Sequence, residues 1–139
     1  MNHLFKTVLF SAAFLSTHLA HAADLTILID DVKAGGGNLM VALFDSPDSF
    51  LKKPAASTRV PAAVADNKVV FTDLPEGDYA FAIYHDANAN GKMDKNLIGI
   101  PTEDYAFSNN ALGKMGPPSF DVARFSLPAK GATVRVTLK

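Results

Sequence analysis

The chain contains no cysteine and no tryptophan. Without cysteine there is no disulfide framework, no thiolate metal site and no thiol nucleophile. It also lacks an excess of either charge. Thirteen Lys+Arg against fourteen Asp+Glu leave a formal charge of −1, which argues against the basic footprint that nucleic acid or an anionic membrane demands. Charged residues make up only 19% and apolar residues 48%, a globular rather than a disordered balance. No G-x-S-x-G nucleophile motif occurs. The 139 residues suit one domain.

The first 22 residues read as a segment apart. Lys6 is a positive n-region, Val8 to Leu15 an apolar h-region, and Ala20-His21-Ala22 a small-x-small cleavage site. The apolar run is too short to span a bilayer, which takes about 20 residues, and no later segment is long enough. The expectation is a signal peptide over 1–22 and a single mature domain over 23–139, soluble and periplasmic or secreted, with no membrane insertion. Loss of Lys6 makes the mature charge −2, and loss of His3, His18 and His21 leaves His85 as the only histidine. No cysteine follows the cleavage site, so no lipoprotein anchor forms there. An exported domain without disulfides must be held by its core, and a chain of this size buries roughly 65% of its unfolded surface.

Along the mature chain the dominant period is two. Leu25, Ile27 and Ile29 alternate with Thr26, Leu28 and Asp30, and Gly35-Gly36-Gly37 then breaks the run. Leu39, Val41 and Leu43 share a face of a second run, Asn38 to Phe44. Arg59 to Val64 is weak and contains Pro61, which places it at a sheet edge. Lys68 to Thr72 leads into a turn at Asp73-Leu74-Pro75-Glu76-Gly77, and Asp78 to His85 follows, with Tyr79, Phe81 and Ile83 opposite Ala80, Ala82 and Tyr84. Ala123, Phe125 and Leu127, and finally Val134, Val136 and Leu138, complete the set. Seven short strands with turn signals between them predict an all-β, antiparallel β-sandwich, immunoglobulin-like or prealbumin-like. Helix is scarce; Ser46-Pro47 can start one turn. From Asp86 to about Asp121 no strand is predicted, and a connection of roughly 35 residues is long for a compact domain. Its apolar content (Ile98, Ile100, Tyr105, Phe107, Phe120) predicts an ordered loop folded back over the sandwich.

The start of that loop carries the chemistry. Asp86, Asn88, Asn90 and Asp94 stand at relative positions 1, 3, 5 and 9, with Gly91 at 6. Alternate residues of a tightly curling loop aim hard oxygens at one centre, as Ca²⁺ requires, and glycine makes the sharp turn at position 6. Lys92, at position 7, would give its backbone carbonyl. Leu97 occupies position 12, where a bidentate Glu is expected, so the missing ligand must come from elsewhere, Glu103 or Asp104 being nearest. The competing reading is an Asx-turn without metal. Other readings use the same region: His85, Met93 and Met115 as soft Cu(I) ligands; a glycosidase acid pair among Asp86, Asp94, Glu103 and Asp104; His85 as a general base, or simply as a strand-end residue that orients a loop through a hydrogen bond.

The order Leu74-Pro75-Glu76-Gly77-Asp78-Tyr79-Ala80, His85-Asp86-x-Asn88-x-Asn90-Gly91-x-x-Asp94, Gly99-Ile100-Pro101-x-Glu103, Phe107-Ser108-Asn109-Asn110 and Gly116-Pro117-Pro118-Ser119-Phe120 resembles the bacterial family called domain of unknown function 2141. Val41-Ala42-Leu43-Phe44 and Phe50 also fit it. The resemblance implies an exported β-sandwich with no established activity and supplies no catalytic residues. The Leu-Pro-x-Gly-x-Tyr stretch also resembles prealbumin-like and carboxypeptidase-regulatory-like sandwiches, an analogy of fold alone. The Asp/Asn pattern is similar to Ca²⁺ loops of surface-protein sandwich repeats, where the metal is structural.

The expectation is therefore an exported, non-enzymatic binding or structural module, its long loop clamped by Ca²⁺ through Asp86, Asn88, Asn90, Lys92, Asp94 and Glu103. It takes no nucleic acid, and its protein or carbohydrate partner is not specified by the sequence. The alternative is a small periplasmic hydrolase or other enzyme using the same carboxylates.

Overall fold

A computed structural model describes residues 22–33 and 35–139; the expected signal peptide lies, except for Ala22, outside the described residues. Among the described residues eight strands form, β1 (Ala22–Asp30), β2 (Asn38–Phe44), β3 (Ala56–Pro61), β4 (Asn67–Pro75), β5 (Gly77–Asp86), β6 (Tyr105–Phe107), β7 (Phe125–Leu127) and β8 (Ala132–Thr137), with one short α-helix, α1 (Phe120–Ala123), and a single 3-10 turn at Ser108–Asn110. The chain is all-β, as the alternation requires, with one strand more than the seven expected. The added strand is β6, three residues inside the connection that was expected to hold none.

Two sheets result. One has the order β4-β1-β8; the other runs β3-β2-β5-β6, with β7 also paired to β5. β3 is an edge strand, as Pro61 demands. One pairing departs from the antiparallel expectation: β8 lies parallel to β1, with Leu25 opposite Ala132 and Asp30 opposite Thr137. Alternation along each strand is the same for either direction, so the pattern could not distinguish them.

The inward positions interlock between the sheets. Leu25, Ile27, Leu39, Leu43, Phe81, Ile83 and Val136 lose essentially all exposure in one cluster. Ser119 caps α1, its side chain accepting from the Val122 amide, and Phe120 and Ala123 turn inward. They join Phe44, Phe50, Ala80 and Ala111 in a second, smaller cluster. Phe44 and Phe50 meet edge-on at 5.3 Å and Phe50 and Phe120 at 5.9 Å. This cluster contains Phe44 and Ala80, which alternate with the inward positions of β2 and β5. The outward face of the five-stranded sheet is thus covered at one end. Ser108 joins the parts: it accepts from the Phe81 amide at 3.0 Å and donates to the Ala123 carbonyl at 2.6 Å.

Candidate functional site

Each expected side-chain ligand of the Asp/Asn loop has a partner within the protein. Asp86, buried at the end of β5, accepts from the Asn90 amide at 3.0 Å and the Gly91 amide at 2.8 Å. Asn88 and Asn90 curl the loop with their side-chain oxygens, accepting from the amides of Asn90 and Lys92 respectively. Their side-chain nitrogens donate to the two oxygens of Asp94, at 2.6 and 2.8 Å. Glu103 does reach the loop, one oxygen accepting from the Ala87 amide at 3.2 Å and the other from Asp94 at 3.0 Å. Asp104 goes elsewhere, pairing with Lys33 at 3.2 Å. Among the described residues no three His, Asp or Glu side chains are gathered as a metal set. The geometry is a closed network of Asx-turns stapled by Glu103.

Electrostatically the loop is anionic. The Tyr84 phenol is pushed above its ordinary range, first by burial and then by Asp86, Glu103 and Asp94. His85 faces the opposite way, inward beside Leu39. Its Nε2 lies 2.8 Å from the Gly36 carbonyl, which can only accept, so this nitrogen carries the proton. His85 therefore ties the glycine turn to the loop. Gly37, at φ +66°, packs against the Asp86 carbonyl and Ala87 so closely that a Cβ would collide with them. Met93 and Met115 line the outward side of the sheet and are not brought together with the inward-facing His85 as a copper set.

The network forms the base of an arm. The Thr102 amide donates to the Asp94 carbonyl, and Lys95 and Pro101 bridge. At the tip, Asn96 accepts from the amides of Ile98 and Ile100, and Gly99 closes the turn at φ +83°. The tip leaves Ile98 and Ile100 largely exposed, at 80% and 55%. The expected folding-back is thus divided. Tyr105 and Phe107 continue the sheet and Phe120 is buried, whereas the arm borders the outward face and keeps Ile98 and Ile100 exposed.

Beside the arm lies a feature that motif reasoning missed. Strand register sets two rows across the outward face. Arg59, Met40, Tyr84 and Tyr105 form one; Ser57, Ala42, Ala82 and Phe107 form the other. The second row has three small side chains in succession, which opens a trough between bulkier neighbours. The result is a groove of about 1240 Å³, walled by the arm on one side and by residues 111–117 on another. Nine large hydrophobic side chains are exposed among the described residues, and five of them (Leu51, Ile98, Ile100, Leu112, Met115) line this groove. Exposed apolar residues scattered singly are ordinary, whereas here more than half of them surround one concavity. A signal was present in the sequence: the middle outward positions of β2 and β5 (Met40, Ala42, Phe44, Ala80, Ala82, Tyr84) carry no charge, and on β5 charge returns only at the ends, with Asp78 and Asp86.

The model of the family described as an uncharacterized protein conserved in bacteria, domain of unknown function 2141, matches residues 27–135, so the chain belongs to that family. No curated protein and no solved structure matches it.

Proposed function

We propose that this member of domain of unknown function 2141 is an exported, non-enzymatic binding module whose site is the groove on the outward face of the five-stranded sheet. The observation that carries the reading is the convergence of five exposed large hydrophobic side chains on one trough floored by Ser57, Ala42 and Ala82. Water against such a surface is displaced favourably by an apolar ligand. The Asp86 loop is then scaffold: it fixes the base of the arm that walls the groove. A non-enzymatic role accords with the chemistry of the conspicuous polar groups. Asp86 and Glu103 spend their oxygens on backbone amides, and the His85 Nε2–H is held by a carbonyl. Export rests on the Lys6, Val8–Leu15 and Ala20-x-Ala22 pattern, with a mature N-terminus at Ala23.

The test is binding of the neutral apolar dye Nile red to the mature protein. Bright, saturable binding is expected, lost in Ala82→Leu and Ala42→Leu, each of which fills the trough from a different strand. Circular dichroism keeps the folded variants distinguishable from misfolded ones. Absence of saturable binding, or binding unchanged in both folded variants, overturns the groove as the site.

A second reading retains Ca²⁺ in the loop. It is favoured by Asp86, Asp94 and Glu103 each accepting hydrogen bonds from the same loop, with no Lys or Arg paired to any of them among the described residues. Binding would require the Asn88 and Asn90 oxygens to exchange backbone amides for the ion, with Lys92 giving its carbonyl. That cost points to weak affinity, on the order of 10⁻⁴–10⁻³ M as in extracellular modules. Filling the site would stabilise the fold by about 0.4–1.4 kcal/mol at one to ten times Kd. A melting temperature identical in millimolar Ca²⁺ and in excess chelator removes this reading and leaves the groove untouched.

A further inference from the structure

We propose that the groove takes a long-chain carboxylate, an unbranched aliphatic monoanion free in solution, with its head group at Arg59 and its tail along the trough; this rests on the groove being the binding site. The charge lining the groove is of one sign. Arg59 and Lys95 line it, and no Asp or Glu does, although the chain as a whole carries one more acidic than basic residue. Neither cation takes part in an ion pair among the described residues. Their guanidinium and ammonium donors are thus available to a ligand anion, and a guanidinium matches a carboxylate in a two-pronged hydrogen bond. The carboxylates whose charge reaches the groove-lining Tyr84 are Asp86, Glu103 and Asp94 of the adjoining loop. Their oxygens already accept from amide N–H groups.

Placement follows from register. Arg59 stands on β3, the edge strand, and its row crosses Met40 and Tyr84 to Tyr105 on β6. A head group at the β3 edge stays partly in water, which suits an anion whose full burial would be costly. The parallel row of Ser57, Ala42, Ala82 and Phe107 receives the tail. Three interstrand steps of about 4.8 Å span roughly 14 Å. That length matches an extended chain of about 10–12 carbons, at a zigzag rise of ~1.3 Å from bonds of about 1.5 Å. Ile98, Ile100, Leu112 and Met115 then close over the tail from the rim. Arg59 and Lys95 select against a cationic amphiphile of the same length, so the groove discriminates by sign as well as by apolarity.

The experiment is displacement of Nile red from the mature protein by decanoate, decan-1-ol and decylammonium at low ionic strength, all below micelle formation. Decanoate is expected to compete at least about fivefold better than decan-1-ol, as a charge-assisted contact gives, with decylammonium weakest. Lengthening the carboxylate from eight to ten carbons should gain about fourfold per methylene. Arg59→Gln, an exposed position, should bring decanoate down to the level of decan-1-ol. Lys95→Gln should weaken decanoate alone, and added salt should act in the same direction. If decan-1-ol equals decanoate, or decylammonium competes best, the anion inference is overturned while the Ala82-dependent dye binding upholds the groove. If the dye never binds in an Ala82-dependent way, the groove reading itself has failed.

Discussion

Asp86 is the residue on which the arm should depend. Its carboxylate, 1% exposed, accepts from the amides of Asn90 and Gly91. Hydrogen bonds to an ionised acceptor contribute about 1.5–3 kcal/mol each. Asp86→Ala removes both, but Asn90 and Gly91 are exposed, so the freed amides are rehydrated and part of the cost returns. The net expectation is about 2–4 kcal/mol, placed on the loop rather than the sandwich. β5 keeps its pairing with β2, because Asn38 opposes Asp86 through the backbone, while residues 87–104 lose the anchor of their base. Hydrogen exchange reads this directly: protection at Asn90, Gly91 and Asp94 should fall about 30- to 1000-fold, with Leu25 and Ile83 far less affected. Asp86→Asn, which keeps one acceptor oxygen, should lose roughly half as much free energy. The Tyr84 phenol offers an internal check. Anionic neighbours help hold its ionisation above the ordinary value near 10, so removing the Asp86 charge should let it ionise at lower pH. Unchanged exchange across 87–104 in Asp86→Ala would refute the assignment of the loop as the foundation of the arm.

Three further outcomes follow from the packing. Phe81→Ala empties a site at 1% exposure and removes the edge contact to Phe125 at 5.7 Å; a loss of about 3–5 kcal/mol is expected in urea unfolding. Tyr79 is held above its ordinary range by burial and by Asp45, and its hydroxyl donates to the Pro75 carbonyl at 2.7 Å. Its contribution is therefore full below the unfolded value near 10 and is lost as pH rises through the higher folded value. Tyr79→Phe should cost about 1 kcal/mol near neutrality and flatten the decline in melting temperature above pH ~10. Gly37→Ala forces a Cβ against the Asp86 carbonyl and Ala87 at a positive φ, so a thermal-melt loss above about 1 kcal/mol is expected.

Strand faces were legible in the sequence because one side of each strand meets a large core. Leu25, Ile27 and Ile29 on β1, and Tyr79, Phe81 and Ile83 on β5, point inward as their alternation requires. β6 was hidden because its sizes run against the rule. Ala106, the small residue, faces the core, while Tyr105 and Phe107 face the groove half-buried. Three residues with the large side chains turned outward resemble an apolar loop. The parallel seating of β8 on β1 was hidden for another reason, since it depends on how a chain returns and not on which side chains alternate.

The candidate site divides along the same physical line. Local chemistry was readable only as far as the curl: Asp86, Asn88, Asn90 and Gly91 lie within a few residues of one another, and their spacing predicts a tightly curled loop that suits either Ca²⁺ or an Asx-turn. Glu103 is sixteen residues from the amide of Ala87 that it meets, yet it was reachable because carboxylates are few in that stretch. The groove needed what no spacing encodes. Its floor takes Ser57 from β3, Ala42 from β2 and Ala82 from β5, brought level only by the registers of two antiparallel pairs. A shift of one residue in either pair would turn one of these side chains into the core and close the trough. What decides the site is thus the same register that decides the core. The three small residues at this level leave the outward face apolar without filling it, and β3 carries Arg59 to its rim.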